Sequence, residues 1–228
     1  MRYTNFVDIM TASRMNRYLF ACSGDSRKAM TLYRRNLQLS QEVFTVISCF
    51  EVALRNKIDN HYFHIHGNNW LKNAAGSGGF YDNPKNYNTK VVITTAIAKL
   101  NTSYSHYKLV AELGFGFWRY MFVDRQFRAA GNTLLRIFTS RPTSSFGFNY
   151  NHTYIFNQLA KLNDIRNRIA HHEPICFLAG QPVIDTTYTR QHYMLTLQLF
   201  QWMEIDEGAL LYGLDHIVSL CDEIDRLR

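Results

Sequence analysis

The sequence predicts an all-α fold, a helical bundle with inserted loops. Three observations carry the all-α reading. Glycine (12) and proline (4) are scarce in 228 residues, so the chain lacks the breakers that many short strands and turns require. Apolar residues make 46% and charged residues 19%, a balance that excludes a disordered chain and supplies a core. The clearest periodicity is helical, with Val43, Ile47, Phe50, Leu54 and Ile58 recurring at three and four residues.

Taken in order, Phe6, Ile9, Met10 and Leu19 have helical spacing over 5–20. An arginine-rich segment follows, and Ser40 then has the chemistry of an N-cap, with Glu42 in the first turn of a helix reaching Phe63. The stretch 67–89, rich in Gly and Asn, reads as a long loop. Thr89 can cap a helix to about 103. Residues 107–123 read as two short helices around Gly114 and Gly116, with Trp118 and Phe122 buried, and a further helix spans about 125–138. After a linker at 141–151, a helix runs to Pro174 with Ile155, Leu159, Leu162 and Ile169 inward. An extended excursion around Gly180 precedes two closing helices, 186–204 and 207–227. No linker divides this into two domains. The expectation is one domain over 1–228, with its motifs in about 30–175 and the C-terminal helices 186–227 packed on that region.

Charge is unevenly placed. Residues 1–200 hold 23 basic and 11 acidic side chains, whereas 201–228 hold 2 and 7. Arginine outnumbers lysine 17 to 8. Guanidinium binds phosphate in a bidentate manner, so the bias fits a polyanion as well as it fits a solvated surface. The acidic tail can pair with a basic face of its own chain or of a second copy. Glu51 interrupts the best candidate for a membrane-crossing run, and the N-terminal MRYTNFVDIMTASR has no apolar signal core, which leads us to expect a cytoplasmic protein with no membrane partner. The cysteines, at 22, 49, 176 and 221, have no paired spacing and read as reduced, buried thiols.

The densest chemistry lies at Ile165-Arg166-Asn167-Arg168-Ile169-Ala170-His171-His172-Glu173-Pro174. At about 100° per residue, Asn167 and His171 share one helix face, Arg168 and His172 share another, and Arg166 lies about 140° from His171. Histidine can take a proton from a ribose hydroxyl or give one to a leaving oxygen. Arginine can neutralise a pentavalent phosphorane, and asparagine can orient the phosphate or the imidazole. The same residues also suit plain helix C-capping. A second string, Glu51 with Arg55, Asn56 and His61, repeats the pattern. It reads either as a further part of an RNA site or as a structural i,i+4 pair between Glu51 and Arg55. His61, His64 and His66 are dense, yet no cysteine or carboxylate set with ligand spacing stands beside them, and neither metal nor cofactor is expected. Gly76-Ser77-Gly78-Gly79 is not followed by the Lys-Ser/Thr of a phosphate loop. Tyr81, Tyr87, Tyr104, Tyr107 and Tyr150, in or beside predicted loops, can stack unpaired bases or join the core.

Arg166-Asn167 followed by His171 resembles the Arg-x4–6-His motif of the HEPN superfamily. LNDIRNRIAHHEPI, YRRNLQLSQEVF…FEVALRNKI (Tyr33–Ile58) and LGFGFWRYMF (Leu113–Phe122) together resemble the Abi-like abortive-infection proteins of bacteria, of the AbiD/AbiF type, in order over about 30–175. The resemblance implies a HEPN bundle that often dimerises into a composite site. Active members are metal-independent endoribonucleases that leave a 2′,3′-cyclic phosphate and serve phage defence or toxin-like growth arrest. By position, Arg166 would stabilise phosphate, Asn167 would orient, and His171, or His172 beside it, would be the acid/base. Arg168, Arg55, Asn56 and Glu51 are candidates for substrate contact. Expected partners are RNA, a second copy, and an antitoxin or small RNA. The superfamily also contains members that bind RNA or a protein partner without cutting.

Overall fold

The structure is a computed structural model, and it describes residues 1–147 and 149–228. Within the expected linker, Phe148 lies outside the described residues. The fold is all-α. In chain order the helices are α1 (Tyr3–Met10), α2 (Ala12–Ala21), α3 (Ser26–His66), α4 (Trp70–Ala75), α5 (Tyr87–Leu100), α6 (His106–Glu112), α7 (Phe115–Tyr120), α8 (Asp124–Ala129), α9 (His152–Ala170), α10 (Thr187–Trp202), α11 (Glu207–Leu210) and α12 (Ile217–Asp225). Short 3₁₀ turns occupy Pro84–Asn86, Asn101–Ser103 and Leu134–Ile137. No strand occurs among the described residues. The excursion around Gly180 (φ +72°) is closed by one antiparallel bridge between Phe177 and Ile184.

The chain divides into two compact units. One comprises Met1–Ser48, Asp164–Gln198 and Asp206–Arg228, and the other Cys49–Asn163 and Leu199–Ile205. Three of the four boundaries fall inside α3, α9 and α10, and the fourth lies in the short turn between α10 and α11, which explains why no linker is visible in the sequence.

Several element boundaries differ from expectation. Ser40 caps nothing, because α3 runs unbroken for 41 residues, roughly 60 Å at 1.5 Å per residue. Its N-terminus is set instead by Asp25, whose Oδ1 accepts from the amides of Arg27 and Lys28. The buried series Ala29, Leu32, Asn36, Leu39, Val43, Val46, Phe50, Leu54 and Ile58 passes through Ser40 without a phase change, and that continuity outweighs a local capping preference. One 18-residue stretch of α3 reaches a mean hydropathy of 1.2, enough by length and composition to cross a membrane, and it carries Glu51 within it. The stretch is 33% buried, the one-sided pattern of an amphipathic core helix.

The expected helix over 5–20 is two helices, parted at Thr11 (φ +69°). The expected long loop contains α4, whose Trp70, Leu71, Ala74 and Ala75 are buried, and Tyr81 just beyond it is buried too. Here short apolar pieces between Gly and Asn find core positions that composition alone conceals. The expected helix over 125–138 breaks at Gly131 and Asn132, both with positive φ. Trp118 and Phe122 are fully buried, with the Trp118 Nε1 donating to the Leu113 carbonyl at 2.9 Å. Cys22, Cys176 and Cys221 are buried free thiols, whereas Cys49 is half-buried.

The first unit is held by a chain of edge-on aromatic contacts, Phe6 to Tyr33, Tyr33 to Tyr18 and Tyr18 to Phe177, at 5.0 to 5.5 Å between centroids. These join α1, α2 and α3 to the segment after α9. The acidic tail pairs with arginines of its own unit. Glu223 meets Arg35 at 2.8 Å, and Arg190 bridges Asp222 and Asp225 at 2.6 and 3.3 Å.

Candidate active site

The site is built on the C-terminus of α9. The Glu173 amide donates to the Arg168 carbonyl at 2.8 Å and the His172 amide to the Ile169 carbonyl at 2.9 Å. These two bonds form a Schellman motif, and they place His172 where glycine is usual. His172 accordingly has φ +56°, a left-handed conformation that histidine tolerates better than most side chains. Pro174 therefore follows the helix stop rather than causing it.

The chain beyond this turn is fixed. The Arg168 guanidinium donates to the Pro174 carbonyl (3.0 Å), pairs with Glu173 (3.3 Å) and lies 4.8 Å from the Tyr188 ring centroid. The Ile175 amide donates to the buried Asn36 Oδ1 (3.0 Å), and Thr189 Oγ1 donates to the Ile175 carbonyl (2.6 Å).

His171 and His172 line a cleft of about 390 Å³ together with Thr11, Ser13, Arg14, Arg17 and Tyr18 of the α2 region, and with Glu173 and Pro174. Arg14 Nη1 donates to the His172 carbonyl at 3.1 Å. Arg17 donates to the carbonyls of Leu178 (3.1 Å) and Gln181 (2.8 Å) and stacks on Phe177 at 4.6 Å. Each bond holds one edge of a guanidinium that has five donors in all, so both arginines are oriented without being exhausted. The His171 imidazole has no hydrogen-bond partner among the described residues and is exposed. Burial pushes the Tyr18 phenol far up its scale, so it enters the cleft wall as a neutral hydroxyl. Glu173 is the cleft's carboxylate, and its charge is offset by Arg168. Two non-glycine residues with positive φ, Thr11 (+69°) and His172 (+56°), border this one cleft. Such conformations cost about 1–3 kcal/mol each and concentrate at functional sites.

The other expected residues lie elsewhere. Arg166 is half-buried, 5.9 Å from the Phe44 ring centroid and 3.5 Å from Asn167 Oδ1, on a face of α9 that does not line the cleft. Arg168 belongs to the turn's lock. Glu51, Arg55 and Asn56 are in the second unit. The expected Glu51–Arg55 ion pair is not formed; Arg55 Nε is instead buried without a partner, and Asn56 is exposed. The His61 Nε2 is hydrogen-bonded to Thr133 Oγ1 at 2.9 Å, and its pKa is held below the ordinary range by burial and then by Arg136, His66 and His64. His66 stacks on Tyr62, and no metal-ligand group of three or more His, Cys, Asp or Glu occurs among the described residues. Tyr81 and Tyr150 are core residues, whereas Tyr87 and Tyr107 are exposed.

Sequence reasoning passed over Arg14 and Arg17. The available signal was their i,i+3 spacing in ASRMNRYLFA, on the flanks of the buried Met15 and Tyr18.

Comparison with protein-family models, with curated proteins and with solved structures finds no match for the chain.

Proposed function

We propose that the protein is a metal-independent endoribonuclease of the HEPN type. The observation that supports this most directly is the meeting of two imidazoles, His171 and His172, with two oriented guanidiniums, Arg14 and Arg17, in one open cleft. One imidazole takes the proton from a ribose 2′-hydroxyl, and the 2′-oxygen attacks the adjacent phosphorus. The guanidiniums neutralise the charge that grows on the non-bridging oxygens. The 5′-oxygen leaves with a proton from an imidazole, so the products are a 2′,3′-cyclic phosphate and a 5′-hydroxyl. Arg166 and Asn167 sit on a neighbouring face, and a homodimer is the arrangement in which a second copy offers that pair to the same RNA. In the cell the reading is phage defence or growth arrest in the bacterial cytoplasm, restrained by an antitoxin or small RNA.

The separation of Arg166 from the cleft favours a second reading, an RNA-binding regulator that does not cut. One assay decides between them. Purified protein is incubated with total bacterial RNA in EDTA, beside the His171→Ala, Arg14→Ala and Arg166→Ala variants. Cleavage to cyclic-phosphate ends by wild type, lost in His171→Ala and Arg14→Ala, is the expected result. Tight binding without cleavage selects the regulator, and a requirement for divalent metal overturns the mechanism.

A further inference from the structure

We propose a second anion site, in the unit that does not hold the histidine cleft, which binds a phosphate group. A cleft of about 530 Å³ is lined by Asn83, Lys85, Asn86, Asp124, Arg125, Arg128 and Ala129. Three cations face one carboxylate there. That carboxylate is already committed, because Asp124 Oδ1 accepts from Arg128 Nε at 2.8 Å and lies 3.5 Å from His152 Nε2. Lys85 and Arg125 are exposed and have no ion-pair partner among the described residues, so the cleft keeps a positive excess.

Its floor is polar and preset. Asn86 is only 4% exposed and still lines the cleft, its Oδ1 is buried without a partner, and nothing among the described residues accepts from its Nδ2. The Oδ1 is an acceptor and plays no part in holding an anion; the Nδ2 is the donor with no acceptor, and an oxyanion meets it by accepting from Nδ2 while Lys85 and Arg125 balance its charge. The backbone that presents Asn86 is held independently of any ligand. Asn83 Oδ1 accepts from the Asn86 amide at 3.1 Å, and Asn83 Nδ2 donates to the Phe80 carbonyl at 3.1 Å. Gln126, on the opposing α8, is tied to Thr89 at 3.0 Å. Phosphate is the chemistry recognised, and either an RNA backbone or a free nucleotide can supply it.

The test reads the Asn86 side-chain amide by heteronuclear NMR on full-length His171→Ala protein, in which RNA stays intact. The probes are inorganic phosphate, 5′-AMP and a single-stranded RNA oligonucleotide, with sodium chloride as control. A saturable shift of the Asn86 resonance is expected, and it is lost in a variant that also carries Lys85→Ala and Arg125→Ala. Tighter binding of RNA than of 5′-AMP assigns the site to the polynucleotide backbone. In that case the slope of log affinity against log salt falls by about 1.4 in the double variant, as two phosphate contacts disappear. Tighter binding of 5′-AMP assigns it to a nucleotide. No shift with any probe, or an equal shift with chloride, overturns the proposal. The readout needs no cleavage, so it stands apart from the fate of the histidine cleft.

Discussion

Arginine-asparagine followed by histidine occurs twice in this chain, and the two copies are in opposite environments. In the second unit, Arg55 Nε is buried without a partner, and His61 is bonded to Thr133 with its pKa held down by burial and by neighbouring cations. In the first unit, His171 is exposed in a cleft edged by Arg14 and Arg17. The pattern is the same, and the difference comes from what the remainder of the chain brings to it. Acid/base chemistry needs an imidazole that solvent and substrate can reach, and only the second occurrence offers one.

Substitution of the two histidines separates the two copies most sharply. His171→Ala should lower RNA cleavage by about 10²–10⁴-fold, whereas His61→Ala should leave cleavage within a few-fold of wild type and lower thermal stability instead. The reverse pattern in an RNA gel and a melting curve would show that the wrong copy has been chosen. Next in size, Asn36→Ala strands the Ile175 amide in the core beneath the cleft and should cost about 1–3 kcal/mol in denaturant unfolding. His172→Gly should stabilise the fold by about 1 kcal/mol, since glycine meets no penalty at φ +56°. If that variant loses cleavage while His171→Ala retains it, the essential imidazole is His172. The smallest effect is one of pH. The folded state depresses the His61 pKa below its ordinary value near 6.5, so the neutral ring is the one that the fold favours. Its contribution is complete above about pH 6.5 and drains away as pH falls from there toward the folded value. Melting temperatures from pH 7.5 to 5 should therefore fall less in His61→Gln than in wild type.

Much of the helical core is visible in the sequence, because burial repeats at three and four residues along α3 and α9. Element ends are less so. Thr11, Asn101 and Asn132 take positive φ without being glycine, and these are sites of termination that local propensity does not flag. Ser40 misleads for the opposite reason, as a good capping residue inside a helix that tertiary packing keeps intact. At the candidate site, the string from Arg166 to Glu173 is contiguous, so its histidines stand out. Its partners do not. Arg14 reaches the His172 carbonyl from 158 residues away, and a periodicity argument has no means of joining them.

The two-unit division also sets a schedule for synthesis. The first unit draws on the beginning, the late middle and the end of the chain, so the α2 wall of the cleft leaves the ribosome well before the turn that carries His171 and His172. At roughly 5–20 residues per second, that wall waits about 8–30 s for its opposite side. The segment whose carboxylates hold Arg35 and Arg190 follows later still. The two walls of the cleft therefore meet only after the whole of Cys49–Asn163, the main segment of the other unit, has been made.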